Sequence, residues 1–242
     1  MAGGDGAAEA LDRAGLVYGV VAPAAAPDGA PAAGARAAIV LRGSDGDPER
    51  LTALAAAAAP ARTLVVPEPL RFLYLSRAHV GQRWFVRSID GETEPATFGD
   101  ALYAVEQLTV GARERWGAPP LLVGHGQGGE LALALGAIVP ELLAGVVAID
   151  AALPVVPGWE RPPCEAGGLP VLLLPGGQRP VDGERTRAEL SAIGARVTAV
   201  PAREAAISLA PPLAETVAEW WAAEGCDRPS ARAIGDGISP ST

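Results

Sequence analysis

The sequence has no lysine and no asparagine, and its 242 residues include only two histidines and two cysteines. All of its positive charge therefore comes from arginine, and 28 acidic residues against 19 arginines leave a formal net charge of −9. The arginines form no basic stripe of the kind that neutralises phosphates, so we expect no nucleic-acid binding. Cys164 and Cys226 lie far apart with no CxxC motif or Cys/His cluster, which argues against a bound metal.

Long hydrophobic runs are also absent. No span of about eighteen residues is free of proline, glycine and charge, which argues against a transmembrane helix, and residues 1–10 lack the pattern of a secretory signal. We therefore expect a cytoplasmic protein without membrane attachment. The length favours a single domain over residues 1–224. Residues 23–35 and 225–242 lack apolar periodicity, and we interpret them as a hairpin loop and a flexible tail.

The sequence does contain short β-branched runs that alternate with longer helical segments. This pattern predicts an α/β fold with a mostly parallel central sheet and helices on both faces. Several runs are continuously apolar, as is typical of strands buried on both sides. The predicted strands are Leu16–Val21, Ala37–Leu41, Thr63–Val66, Leu121–Gly124, Val146–Ile149, Val171–Leu174 and Val197–Val200. The predicted helices are Asp47–Ala59, Phe98–Trp116, Gly128–Ile138, Gly183–Ile193 and Pro212–Ala223.

One predicted strand, Leu121–Gly124, leads through a glycine-rich turn directly into a helix. The turn reads His125-Gly126-Gln127-Gly128-Gly129, and a segment rich in alanine and leucine follows it. This is the setting of a nucleophile elbow, in which a G-x-S-x-G turn lifts a serine above the sheet. The flanking glycines are present, but Gly126 stands where the serine is expected.

Three segments resemble, in their order and spacing, the phospholipase/carboxylesterase family of α/β-hydrolases. They are the turn Gly124–Gly129, the stretch Pro140–Ala148, and Trp84-Phe85 with the helix after it. The resemblance covers roughly residues 37–222 and implies an α/β-hydrolase fold. It also implies positions for the other two triad residues, where this chain has Arg179 in place of the aspartate and Ala205 at or beside the place of the histidine.

The order of residues along the chain supports the same interpretation. In this fold the nucleophile precedes the acid and the histidine, yet His79 and His125 both precede Gly126. Glycine has no attacking oxygen, and a hydroxyl elsewhere stays a poor nucleophile near neutral pH without a base. We therefore interpret the chain as a member with a degenerate triad, and not as a conventional serine hydrolase.

Backbone groups survive side-chain changes, so an oxyanion hole is expected to persist. Its donors in this fold are the amide after the elbow centre, here that of Gln127, and an amide of the loop after an earlier strand, here that of Ser44. Arg42 stands in that loop where the family usually has histidine, and it adds a cation.

Further side chains are candidates that have simpler structural explanations. Glu204 is a candidate carboxylate base, although a surface charge is the stronger interpretation. His125 is more simply a structural histidine, and His79 more simply part of a solvated loop over the pocket. The candidates for the pocket wall are Arg42, His79, Trp84, His125 and Trp159.

Three functions remain open. The first is a repurposed catalyst that polarises a small carbonyl-containing molecule with the amides of Ser44 and Gln127 and promotes cyclisation, elimination or isomerisation. The second is a pseudohydrolase that binds a ligand or a protein partner without turnover. The third is a carboxylesterase-like hydrolase that uses unconventional groups such as Glu204. We favour the first, and we expect no cofactor, because the glycines of residues 124–129 do not have dinucleotide-binding spacing.

Overall fold

The computed structural model describes residues 10–23, 36–44, 48–76, 79–160, 164–175, 182–200 and 211–224. The strands within these residues are β1 (Tyr18–Val21), β2 (Arg36–Leu41), β3 (Arg62–Pro67), β4 (Arg71–Ser76), β5 (His79–Arg83), β6 (Leu121–His125), β7 (Gly145–Ile149), β8 (Pro170–Leu174) and β9 (Arg196–Ala199). The α-helices are α1 (Pro48–Ala58), α2 (Pro95–Trp116), α3 (Gln127–Ile138), α4 (Gly183–Ala192) and α5 (Pro211–Glu224), and a short 3-10 helix covers Pro140–Leu142.

Seven of the strands form one sheet in the order β1-β3-β2-β6-β7-β8-β9. Every neighbouring pair is parallel except β1 and β3, which are antiparallel at one edge. The central strands β6, β7 and β8 are buried along their whole length, because helices cover both faces of the sheet. The predicted α/β class with a mostly parallel sheet is therefore confirmed.

The helices divide between the two faces and create a separate apolar core on each. On one face, α2, α3 and α4 contribute Leu108, Leu131 and Leu190 to a buried cluster with the sheet. On the other face, α1 and α5 contribute Leu54 and Trp221 to a second cluster. No helix among the described residues is both long and apolar enough to span a membrane.

Two details of the strand pattern differ from the sequence prediction. The segment around His79 was interpreted as a loop, but β4 and β5 pair antiparallel as a separate two-stranded sheet. The sequence predicts a hairpin loop over residues 23–35, between β1 and β2. In the sheet, however, β3 lies between β1 and β2, so β1 and β2 do not pair with each other. The predicted tail, 225–242, lies outside the described residues.

Candidate functional site

The sheet topology places a cavity at the carboxyl ends of β2 and β6. The chain moves from β2 to β3 on one side of the sheet, whereas β6 begins the strands on the other side. Loops that leave adjacent strands diverge at such a switch point and open a crevice between them. Gly43 and Ser44 after β2, and Gly126 and Gln127 after β6, line a cavity of about 280 Å³ at this position.

Gly126 keeps the backbone shape of an elbow without a side chain. It lies between β6 and α3 with φ 53° and ψ −123°, which L-residues rarely adopt. Its amide donates to the carbonyl oxygen of Ile149, and its carbonyl oxygen accepts from the amide of Glu130, both at 2.9 Å. A Cβ atom here would meet the Cα of Gly43 at 3.6 Å, an ordinary contact. The turn is therefore held from both sides, and it has room for a side chain.

The start of α3 is pressed against the end of β2. A Cβ atom on Gly128 would lie 2.1 Å from the carbonyl oxygen of Leu41, so only glycine permits this approach. The first amides of a helix have no acceptor within the helix, and they carry its positive dipole end. The amide of Gln127, the first residue of α3, is such a group, and Gln127 lines the cavity.

The side chain of Gln127 fixes the segment after β5. Its Oε1 accepts from the amide of Trp84 at 3.0 Å, and its Nε2 donates to the carbonyl oxygen of Phe85 at 3.0 Å. The indole Nε1 of Trp84 in turn donates to the carbonyl oxygen of Arg42 at 2.8 Å. One glutamine and one tryptophan thus connect the helix, the Trp-Phe segment and the loop that carries Ser44.

Charged side chains that the sequence analysis did not single out also line the cavity. Arg87 contacts Glu130 at 2.5 Å from Nη2 to Oε2. A second lining arginine is Arg185, whose Nε lies 3.3 Å from Oδ2 of Asp182 and whose Nη2 donates to the carbonyl oxygen of Leu153 at 2.6 Å. Each arginine is therefore matched by a carboxylate. These residues come from separate segments, and no local sequence pattern unites them.

Asp150 also lines the cavity, directly after the carboxyl end of β7. Its φ is 50°, the one positive value among the described residues other than glycine. Its amide donates to the carbonyl oxygen of Leu174 at 2.8 Å, whereas its Oδ1 is buried and has no hydrogen-bond partner within the described residues. An acidic residue directly after a predicted parallel strand is a signal that the sequence analysis overlooked.

The comparisons with known proteins agree with this architecture. No family model matches the chain, and no curated protein matches it. Among solved structures, the carboxylesterase from Bacillus cereus has a TM-score of 0.67 at 15% identity, over 90% of this chain and 98% of that one. The carboxylesterase from Mesorhizobium loti has a TM-score of 0.64 at 24% identity, over 77% and 88%. The chain has a carboxylesterase-like α/β-hydrolase fold.

A phospholipase/carboxylesterase from Dyadobacter fermentans DSM 18053 shares this fold, with a TM-score of 0.58 at 14% identity over 84% of this chain and 95% of that one. At identities this low, the similarity shows the fold alone, and the chemistry of the site has to be inferred from the residues of this chain. In an α/β-hydrolase fold, the turn between β6 and α3 is the elbow position, and that position is Gly126.

The structure brings together four of the residues proposed from the sequence. Ser44, His125, Gly126 and Gln127 all line the cavity. His125 ends β6 and is 9% exposed, and a Cβ atom on Gly43 would lie 3.0 Å from its Nδ1. The histidine thus packs tightly below the loop that carries Ser44.

Three other pocket-wall candidates lie away from this cavity lining. Trp84 is fully buried, and its indole Nε1 donates to the carbonyl oxygen of Arg42, which stabilises the loop that carries Ser44. The guanidinium of Arg42 forms an ion pair with Glu68. Trp159 packs against Phe98 with the ring centroids 5.4 Å apart. Large aromatic and arginine side chains therefore serve here as structural supports.

Of the remaining candidates, only His79 lies within the described residues. His79 begins β5. Arg179, Glu204 and Ala205 lie outside the described residues. Within the residues that are described, no three His, Cys, Asp or Glu side chains are grouped so as to hold a metal ion.

Proposed function

We propose that the cavity binds a small carbonyl-containing molecule and promotes a non-hydrolytic reaction of it, of the cyclisation, elimination or isomerisation type. The carbonyl carbon would lie above Gly126, and its oxygen would accept hydrogen bonds from the amides of Ser44 and Gln127. Donors fixed before the reaction stabilise negative charge as it develops on such an oxygen. This stabilisation does not require a nucleophile.

The observation that carries the proposal is the backbone of Gly126. The elbow conformation of φ 53° and ψ −123° is present, but the residue has no side chain with which to attack a carbonyl carbon. The proposal includes a degenerate triad, with Arg179 and Ala205 at the acid and histidine positions. It is supported by the sequence, in which no histidine follows Gly126.

The cavity itself supports ligand binding. It has a volume of about 280 Å³ among the residues that the structure describes. Its walls carry the ion pairs of Arg87 with Glu130 and of Arg185 with Asp182. Such walls suit a small polar molecule better than an acyl chain, because desolvating charged groups against an apolar chain is costly.

Binding of simple carbonyl compounds tests the proposal. Ligand-observed NMR with cyclohexanone and δ-valerolactone should detect binding to the wild-type protein, and Gly126→Ala should weaken it by about tenfold or more, because the new methyl group occupies the carbonyl position. Gly158→Ala is the matched control, since Gly158 also has positive φ, at 71°, but lies in open space. Equal binding by wild type and Gly126→Ala would contradict the proposal.

An ester assay separates the proposal from a carboxylesterase-like hydrolase, which the solved neighbours favour by their fold. We expect 4-nitrophenyl acetate to be hydrolysed no faster than about 10³- to 10⁴-fold above water, the level that an oxyanion hole and binding alone retain. Enzyme-level turnover that disappears in Glu204→Ala would overturn the proposal. Carbonyl binding without turnover of any substrate would instead favour a pseudohydrolase.

A further inference from the structure

We infer that Asp150 is the proton acceptor of this site and removes a proton from the carbon next to the bound carbonyl group. The inference rests on the proposed function and narrows it to isomerisation or elimination through an enolate. It depends on three features of Asp150. They are its place beside the elbow, the buried Oδ1 without a hydrogen-bond partner within the described residues, and its backbone conformation.

Asp150 lies beside Gly126 because of the sheet register. His125 at the end of β6 pairs with Ile149 at the end of β7, so Gly126 and Asp150 are the next residues along two adjacent parallel strands. Neighbouring strands lie about 4.8 Å apart. The 2.9 Å hydrogen bond from the Gly126 amide to the Ile149 carbonyl oxygen keeps this spacing beyond the last strand residues. A carboxylate at Asp150 is thus one strand away from the position given to the carbonyl carbon.

The carboxylate of Asp150 differs from the others on the cavity wall. Glu130 contacts Arg87, and Asp182 contacts Arg185 and accepts from its amide as the cap of α4. Oδ1 of Asp150 is buried with no hydrogen-bond partner within the described residues. A buried acceptor without a donor costs about 1–3 kcal/mol. A bound molecule with a proton to give would satisfy it.

The backbone of Asp150 adds a second cost. Residues other than glycine at positive φ persist where the surrounding structure holds them, and they cluster at active sites. Here the amide of Asp150 is held by the carbonyl oxygen of Leu174 in β8. The carboxylate is therefore presented at the carboxyl ends of the strands, where this fold binds its ligands.

The step balances without any further reagent. The carboxylate takes the proton from the carbon next to the carbonyl group, the C–H electron pair forms a C=C bond, and the C=O π pair moves to the oxygen. The amides of Ser44 and Gln127 stabilise the resulting enolate oxygen. In a substrate with a C=C bond between its β and γ carbons, Asp150 returns the proton to the γ carbon, the C=C bond moves between the α and β carbons, and the C=O bond re-forms, which gives an isomer. In a substrate with a leaving group on the β carbon, the C=O bond re-forms, a C=C bond forms between the α and β carbons, and the group departs with its electron pair and takes the proton from Asp150. A positioned base of this kind contributes about 10²- to 10⁴-fold to the rate.

The test uses 5-nitrobenzisoxazole as a probe for a positioned base. A base removes the proton from C3 of the isoxazole ring, the C–H pair turns the C3=N bond into C≡N, and the N–O bond breaks to leave a coloured phenolate. We expect the wild-type protein to open the ring faster than acetate at equal concentration, and Asp150→Asn to lower kcat/KM by about 100-fold. Asp90→Asn is the matched control, since Asp90 is exposed and lies outside the cavity lining; it should retain the wild-type rate.

Asparagine tolerates positive φ, so Asp150→Asn should fold, and its far-UV circular dichroism and thermal unfolding should confirm this. A wild-type rate no higher than that of acetate, or an Asp150→Asn variant as fast as the wild type, would overturn the inference. Cyclohexanone binding distinguishes the two proposals. If the wild-type protein binds the ketone but does not open the probe, the role of Asp150 is wrong and the carbonyl site stands. If it does not bind the ketone, the proposed function itself fails.

Discussion

At the scale of single residues, Gly126 and Asp150 are neighbours with similar and uncommon backbone conformations. Their φ angles are 53° and 50°. Glycine adopts such an angle at little cost, whereas another residue there costs about 1–3 kcal/mol. Asp150 also buries an oxygen that has no hydrogen-bond partner within the described residues. A residue that opposes stability in two ways is typical of a functional site.

This leads to a prediction about stability. Asp150→Gly should raise the free energy of unfolding by about 1 kcal/mol, because it relieves the positive φ and removes the buried oxygen. Urea denaturation followed by far-UV circular dichroism measures the change. Asp90→Gly at an exposed site should bring no gain, since Asp90 does not have positive φ. A loss of stability in Asp150→Gly would show that the carboxylate has a stabilising partner.

Glu94 shows the opposite behaviour, because its carboxylate stabilises the fold. It caps α2, accepting from the amides of Thr97 at 2.7 Å and Ala96 at 3.0 Å. The bond from the Thr97 amide contributes most, and together these bonds hold the pKa of Glu94 below its ordinary value of 4.5. The contribution of the cap is therefore complete above pH 4.5 and is lost as the pH falls through the lowered pKa.

The corresponding prediction concerns acid unfolding. Glu94→Gln keeps an oxygen acceptor but does not ionise, so its free energy of unfolding should fall less than that of the wild type between pH 5 and pH 3. Urea titrations at a series of pH values measure the difference. The same pH dependence in both proteins would mean that protonation of Glu94 does not change the free energy of unfolding.

At the scale of elements, the site depends on contacts between segments that lie far apart in the sequence. The side chain of Gln127 bonds to both Trp84 and Phe85, and the indole of Trp84 bonds to the carbonyl oxygen of Arg42. The residue that donates its amide to the proposed oxyanion hole therefore also holds the opposite loop in place. Arg87, two residues after Phe85, contacts Glu130 on α3.

Removal of this connection is predicted to affect both stability and the cavity. Gln127→Ala should lower the free energy of unfolding by about 2 kcal/mol, because the Trp84 amide and the Phe85 carbonyl group lose their partners. It should also increase hydrogen exchange at the Trp84 amide. Gln107→Ala is the control, since Gln107 is half-buried on α2, away from this contact. Unchanged exchange at Trp84 would show that packing alone holds the segment.

The sequence predicted the elements better than it predicted the site. Apolar runs such as Val146–Ile149 and Val171–Leu174 are distinctive because both faces of the sheet are covered. The β4–β5 hairpin was missed, since the sequence between its strands has no Asn-Gly or Asp-Gly pair to mark the turn. Asp150 was missed although it directly follows a predicted strand, because its place beside Gly126 depends on the pairing of β6 with β7.

At the scale of the whole molecule, the cavity lies at one end of the sheet, and α5 closes one face at the other end. The ring of Trp221 is 5% exposed, and the guanidinium of Arg62 lies 4.7 Å from its centroid. The ring covers Gly145, the first residue of β7, so closely that a Cβ atom there would lie 2.9 Å from its Cζ3. The covering of β7 thus depends on a glycine and a tryptophan together.

The last prediction is that these two residues are energetically coupled. Gly145→Ala should cost about 1–3 kcal/mol through overpacking, and Trp221→Ala about 3–5 kcal/mol through loss of buried surface. The double variant should lose less than the sum, by about 1 kcal/mol, because the methyl group enters space that the ring has left. Urea denaturation of the four proteins measures the coupling. As a control, the effects of Gly145→Ala and of Trp116→Ala on the opposite face should be additive. If the effects of Gly145→Ala and Trp221→Ala are additive as well, the crowding at Gly145 comes from Pro170, whose carbonyl oxygen would lie 3.2 Å from the new Cβ.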